Sequence, residues 1–95
     1  MARFRVETTS GFRRDVKKLL KSHQQITSIY EEAILILEDD PYNFSKKYDI
    51  KKLGDIKVGE GQFRIRKGNW RIRYDIEKDV VILYSFKDRK EGYKS

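Results

Sequence analysis

The chain has 95 residues, no cysteine, 39% charged residues and a formal net charge of +7. That length makes one domain, residues 1–95, burying roughly 60–66% of its unfolded surface in a single modest core. The composition excludes disulfides and thiolate metal sites, and no apolar run approaches the roughly 18 residues of a membrane span.

The basic start Met1-Ala2-Arg3-Phe4-Arg5 leads into no apolar signal core, so the expectation is a soluble cytoplasmic protein with no membrane role. Arg3–Thr8 alternates, with Phe4 and Val6 on one side and Arg3, Arg5 and Glu7 on the other, which predicts a short strand with one buried face. Thr9 or Ser10 can cap the helix that follows, where Phe12, Val16, Leu19 and Leu20 form an apolar stripe. Ser22–Gln25 is a polar turn. A second helix carries Ile26, Ile29, Tyr30, Ala33, Ile34 and Leu37, and stops at Asp39–Asp40 because Pro41 disfavours a helical residue before it. The two helices form an αα-hairpin.

Pro41–Glu60 has no clean period and is expected to be a long connection with room for one short strand, anchored by Ile50 and Leu53. Three strands follow: Gly61–Lys67, Trp70–Glu77 and Val80–Phe86. The last is apolar on both faces, which predicts a central position but leaves its register open. The order β-α-α-β-β-β predicts an α+β fold: an N-terminal strand, the αα-hairpin, then a three-stranded antiparallel meander, with the helices on one face of the sheet.

Charge is uneven along this plan. Residues 1–40 carry seven Lys/Arg and seven Asp/Glu, whereas residues 41–95 carry fifteen against eight. A basic half beside a balanced half points to a surface that meets a polyanion, although a solubilising surface has the same composition. The hairpin sharpens this. Gly68-Asn69 separates two alternating runs by two residues, the pattern of a tight primed turn. Arg66 then faces Arg71 and Arg64 faces Arg73, while Phe63, Ile65, Trp70, Ile72 and Tyr74 share the core face. Like charges directly opposite cost a few tenths of a kcal/mol, roughly, per pair, so four arginines on one face favour a ligand that brings negative charge. Arginine's planar fork suits phosphate oxygens.

Three segments in order carry a family resemblance: Lys52-Leu53-Gly54; then Phe63-Arg64-Ile65-Arg66-Lys67-Gly68-Asn69-Trp70-Arg71-Ile72-Arg73-Tyr74; then Asp88-Arg89-Lys90-Glu91-Gly92-Tyr93. With the helical hairpin ahead of Asp40-Pro41, they resemble the RelE/ParE toxin superfamily along nearly the whole chain. The RelE-like branch implies a toxin–antitoxin component that enters the ribosomal A site and cleaves mRNA, with no metal and no cofactor. It also implies a cognate antitoxin whose acidic segment wraps the toxin. By motif, the matching catalytic residues are Arg64, Arg66, Arg71, Arg89 and Tyr93, with Arg73, Lys67, Lys87 and Lys52 as RNA-binding residues. Lys87 is the alternative to Arg89 as the C-terminal basic residue. The family's frequent Gly-His before that residue is Lys87-Asp88 here, and Asp55–Gln62 is longer than usual. The ParE branch implies DNA gyrase as the target instead, and a basic nucleic-acid-binding module is a third reading.

RNA cleavage by the 2′-hydroxyl needs a base and an acid. The single histidine, His23, lies in the turn after the first helix and cannot fill both roles. Arginines would stabilise the phosphate's equatorial oxygens. Tyr93 is the base candidate, since a phenol's ordinary pKa of about 10 falls beside guanidinium groups. Trp70 lies on the apolar face by parity and is expected in the core.

Overall fold

The computed structural model describes residues 3–88. Strand β1 (Arg5–Thr8) leads into α1 (Ser10–Leu20) and α2 (Ile26–Asp39). Strands β2 (Ile50–Lys52), β3 (Phe63–Lys67), β4 (Trp70–Glu77) and β5 (Val80–Asp88) follow. The expected α+β arrangement is present, in a wider sheet than the meander alone. Five strands lie in the order β1-β5-β4-β3-β2. The long connection contributes β2, antiparallel to β3, and β1 runs parallel to β5. The sheet is therefore mixed, with β5 between β4 and β1 as its double-sided apolarity requires.

Local chemistry explains the helix limits. Thr9, in extended conformation, is the N-cap of α1: its hydroxyl oxygen accepts the Phe12 N–H at 3.2 Å while the hydroxyl donates to the Leu83 carbonyl at 2.9 Å. One side chain thus starts the helix and ties it to β5. Alongside the end of β5, Asp15 accepts from the Phe86 N–H at 3.1 Å and so occupies an edge position that β1 is too short to reach. Helix α2 ends at Asp39, ahead of Pro41.

The helices cover one face of the sheet. Phe12, Leu19, Ile26, Ala33 and Leu37 pack into one core with Ile65, Trp70, Ile72, Tyr74, Val81, Leu83 and Phe86. Leu20, expected in the α1 stripe, is exposed, because only the Phe12–Leu19 line of α1 meets the sheet. The Phe12 ring lies 5.5 Å from Tyr30 and 6.0 Å from Phe86, so truncating it to alanine empties the junction of both helices and β5, at a cost of about 3–5 kcal/mol.

Candidate nucleic-acid interface

The hairpin register is the expected one: Arg64 opposite Arg73, Ile65 opposite Ile72, Arg66 opposite Arg71 and Lys67 opposite Trp70. Gly68 has φ +61° and Asn69 a negative φ, the signs of a type II′ turn, whose first central position favours glycine. Because directly opposed residues share a face, neighbouring strands extend both arginine pairs into rows. Lys51, Arg64, Arg73 and Ser85 form one; Arg66, Arg71 and Lys87 form the next. The helix-free face therefore carries the four arginines together, with a lysine at an end of each row.

The arginines differ in their engagements. The Arg64 guanidinium donates to Asp49 at 2.7 Å, and the same carboxylate lies 3.8 Å from Arg66 Nε. Arg66 also donates weakly to the Gly68 carbonyl at 3.4 Å. Arg73 gives Nε and Nη2 to the Gly61 carbonyl at 3.1 and 3.0 Å, which commits it to holding the connection ahead of β3. Arg71 sits between Arg66 and Lys87 in register and is half-buried. Lys87 is salt-bridged to Asp15 at 3.1 Å, at the rim where α1 passes.

Two predicted RNA-binding residues lie elsewhere. Lys67 shares Trp70's side of the sheet and pairs with Glu32 of α2 at 2.9 Å. Lys52 shares Phe63's side, with its ammonium 5.7 Å from that ring's centroid. Neither joins the arginine face. Arg89 and Tyr93 lie outside the described residues. Trp70 is buried as expected, and His23 packs edge-on against it at 5.1 Å, on the helix side, away from the arginines.

The sequence did not reveal Asp75. Only 4% exposed, it lies on the arginine side of β4, where its carboxylate accepts the Gly59 and Gln62 N–H groups, both at 2.6 Å. Tyr84 also hydrogen-bonds to it; burial first, then the Asp75 and Glu77 charges, push the Tyr84 phenol above its ordinary pKa. That makes Tyr84 a poor base. Tyr84 reaches Asp75 because β5 bulges there: Ser85 pairs with Arg73 and Leu83 with Tyr74, leaving Tyr84 extra. The Leu53–Gln62 connection is thereby clamped over one end of the arginine face. Among the described residues, no group of three or more His, Cys, Asp or Glu could hold a metal, and no helix is long and apolar enough to cross a membrane.

A family model for the ParE toxin of type II toxin–antitoxin (parDE) systems matches residues 6–93. The chain belongs to the ParE toxin family, within the RelE/ParE superfamily. It is thus a toxin of a toxin–antitoxin system. Solved structures agree. This ParE-family chain is similar to one in the RelBE2 toxin–antitoxin complex of Mycobacterium tuberculosis, at 25% identity and TM-score 0.71 over 94% of each chain. It is also similar to one in the RelB–RelE antitoxin–toxin complex of Methanococcus jannaschii, at 27% identity and TM-score 0.61 over 90% of this chain and 93% of that one. YafQ of Escherichia coli, at 17% identity and TM-score 0.66 over 95% and 98%, shares the fold. No curated protein is a significant match.

Proposed function

We propose that this ParE-family toxin is a ribosome-dependent endoribonuclease that cleaves mRNA in the A site. The observation that carries the reading is the placement of Arg64, Arg66 and Arg71 side by side on the sheet face opposite α1 and α2. Arginine pairs directly across strands repel, and a phosphodiester between them removes that repulsion. In this reading Arg64, Arg66 and Arg71 hold the scissile phosphate and stabilise charge on its equatorial oxygens. The 2′-oxygen loses its proton to the Tyr93 phenolate and attacks the adjacent phosphorus; the P–O5′ bond breaks in line, Arg89 stabilises the charge on the departing 5′-oxygen, which takes its proton from water, and a 2′,3′-cyclic phosphate remains. Arginine is too weak an acid to give up its own proton, with a pKa above about 12, so its help is electrostatic. A site with so little acid–base chemistry depends on positioning, which a ribosome holding the message supplies. The toxin works in the cytoplasm, needs no metal or cofactor, and is silenced by an antitoxin whose acidic segment covers basic residues.

A second reading, inhibition of DNA gyrase without cleavage, is favoured by the ParE name of the matching family. Purified toxin added to translating ribosomes distinguishes the two. The nuclease yields cuts in the message at codon spacing, abolished by Arg71→Ala and reduced by Tyr93→Phe, with supercoiling by gyrase unaffected. Intact message with gyrase inhibited establishes the second reading and rejects the first.

A further inference from the structure

The bulge in β5 decides what that strand presents to the arginine face. Val81 and Leu83 lie in the core, so unbroken alternation would turn Phe86 toward the arginines and Ser85 and Lys87 toward the core. The extra residue at Tyr84 reverses the parity. Phe86 is buried, while Ser85 comes opposite Arg73 and Lys87 opposite Arg71. One small hydroxyl thereby stands among cations. Ser85 has Arg73 directly across on β4, Lys87 two residues on along its own strand, and Arg71 on the diagonal.

Its chemistry differs from that of these neighbours. Guanidinium and ammonium groups donate hydrogen bonds and accept none, so they hold phosphate oxygens but offer nothing to a hydroxyl proton. A serine hydroxyl both donates and accepts. Other acceptors on this side are engaged or remote. Asp49 is held by Arg64 at 2.7 Å, and at the rim Asp15 is held by the Phe86 N–H and Lys87. Asp75 takes the Gly59 and Gln62 N–H groups and the Tyr84 hydroxyl. Glu77 stands at the far end of β4, level with Val80. Ser85 is half-buried, and its hydroxyl bonds to no described residue.

We propose that Ser85 reads the sugar of the bound strand: its hydroxyl accepts a hydrogen bond from the ribose 2′-hydroxyl of a nucleotide next to the phosphate held by Arg64, Arg66 and Arg71. The proposal rests on RNA being the ligand of that face. It makes Ser85 a specificity residue, outside the cleavage chemistry itself. The 2′-hydroxyl is the group by which a protein distinguishes RNA from DNA, whereas a face that offered cations alone would hold either polymer.

The test is binding of the full chain, read by fluorescence anisotropy, to two single-stranded dodecamers of one sequence, one all-ribose and one all-2′-fluoro. Fluorine keeps the shape of the sugar and removes the donor. Wild type should bind the ribose strand about five-fold more tightly, the effect of roughly one hydrogen bond. Ser85→Ala should bind both strands alike, at the level of the fluoro strand, and Ser85→Thr, which keeps the hydroxyl, should retain the preference. Unchanged melting temperatures show that the variants fold. A ribose preference that survives in Ser85→Ala, or that wild type lacks, overturns the role of Ser85; if Arg66→Ala still weakens binding of both strands, the arginine-face reading survives. Absence of binding to either strand by the wild type overturns both.

Discussion

Arg64 donates to Asp49 across 2.7 Å, with the arginine side chain 15% exposed and the aspartate 54% exposed. The carboxylate competes from the solvent side for a guanidinium that is itself held in place by the sheet. With the carboxylate this open to solvent, the pair adds about 0–1 kcal/mol to stability. If the arginine face binds RNA as proposed, the larger effect of the pair is on that ligand, because Asp49 occupies a position that a phosphate oxygen would take. Asp49→Asn is expected to leave urea stability within about 1 kcal/mol and to raise affinity for single-stranded RNA roughly two- to five-fold. The gain should shrink between about 50 and 200 mM salt. Weaker binding by Asp49→Asn would show instead that the carboxylate orients Arg64 for its ligand.

The clamp at Asp75 has the opposite character. Two N–H groups point at one buried carboxylate, each at 2.6 Å, and removing it leaves both donors without their acceptor. Asp75→Ala is expected to lower stability by about 2–4 kcal/mol, since bonds to a charged group contribute more than neutral ones. Hydrogen exchange locates the effect: the Gly59 and Gln62 amides should exchange much faster, with amides of α1 and α2 changed only as far as global stability falls. Unaltered protection at those two amides would remove Asp75 from the role of clamp.

Most of the architecture was legible because it is local. Parity alone placed Arg64, Arg66, Arg71 and Arg73 on one face and Trp70 on the other, and the two-residue turn fixed their register. Helical spacing found the core of α1 and α2, apart from Leu20. The parity of β5 was unreadable for a physical reason: the bulge at Tyr84 interrupts the alternation, so Val81 and Leu83 keep one parity and Phe86 the other while all three face the core. The short strand expected near Ile50 is β2, whose bounds the sequence leaves open because three residues are too few to show a period; its ladder is continued by the Arg66 N–H bonding to the Asp49 carbonyl at 2.9 Å. By parity alone, Asp75 shares the face of Arg71 and Arg73 and is indistinguishable from an ordinary solvent-face charge. Its partners are backbone amides thirteen and sixteen residues away, which no side-chain pattern announces.

Gly61 offers a test of how tightly the connection is seated. Its φ is +85°, and a Cβ there would lie 2.8 Å from Arg73 Cβ and 3.2 Å from the Tyr74 nitrogen. Gly59, at φ +95°, has nothing within 4 Å of the same atom. Both alanine variants bear the left-handed backbone cost, about 1–2 kcal/mol. Only Gly61→Ala adds a collision with β4, about another 1–3 kcal/mol. Urea denaturation should therefore rank wild type above Gly59→Ala and Gly59→Ala above Gly61→Ala. It should also reduce RNA affinity in the last alone, because Arg73 and its row shift with the loop. Equal destabilisation by the two would mean that the connection does not lie against Arg73.

The dependence of stability on pH should have limbs assigned to two residues that share the α2–β2 junction. Burial by itself would raise the Asp40 carboxyl, but hydrogen bonds from the Ser45 hydroxyl and from the Ser45 and Phe44 N–H groups, with the Lys47 charge, hold it below its ordinary value. A depressed folded-state pKa gives stability that is present above the unfolded value, about 4, and lost as pH falls through the folded one. Tyr74 is the converse. Burial, and then the nearby Asp40 charge, push its phenol far above the ordinary value, and its hydroxyl donates to the Pro41 carbonyl at 2.6 Å. A raised folded-state pKa gives stability present below the unfolded value, about 10, and lost as pH climbs above it toward the folded one. Urea titrations from acid to alkaline pH should show Tyr74→Phe flattening the alkaline limb, and Asp40→Asn flattening the acid limb while reducing the alkaline one only slightly, since its charge is the lesser of the two causes that raise Tyr74. An alkaline limb that persists in Tyr74→Phe would assign that loss to another tyrosine or to lysine deprotonation.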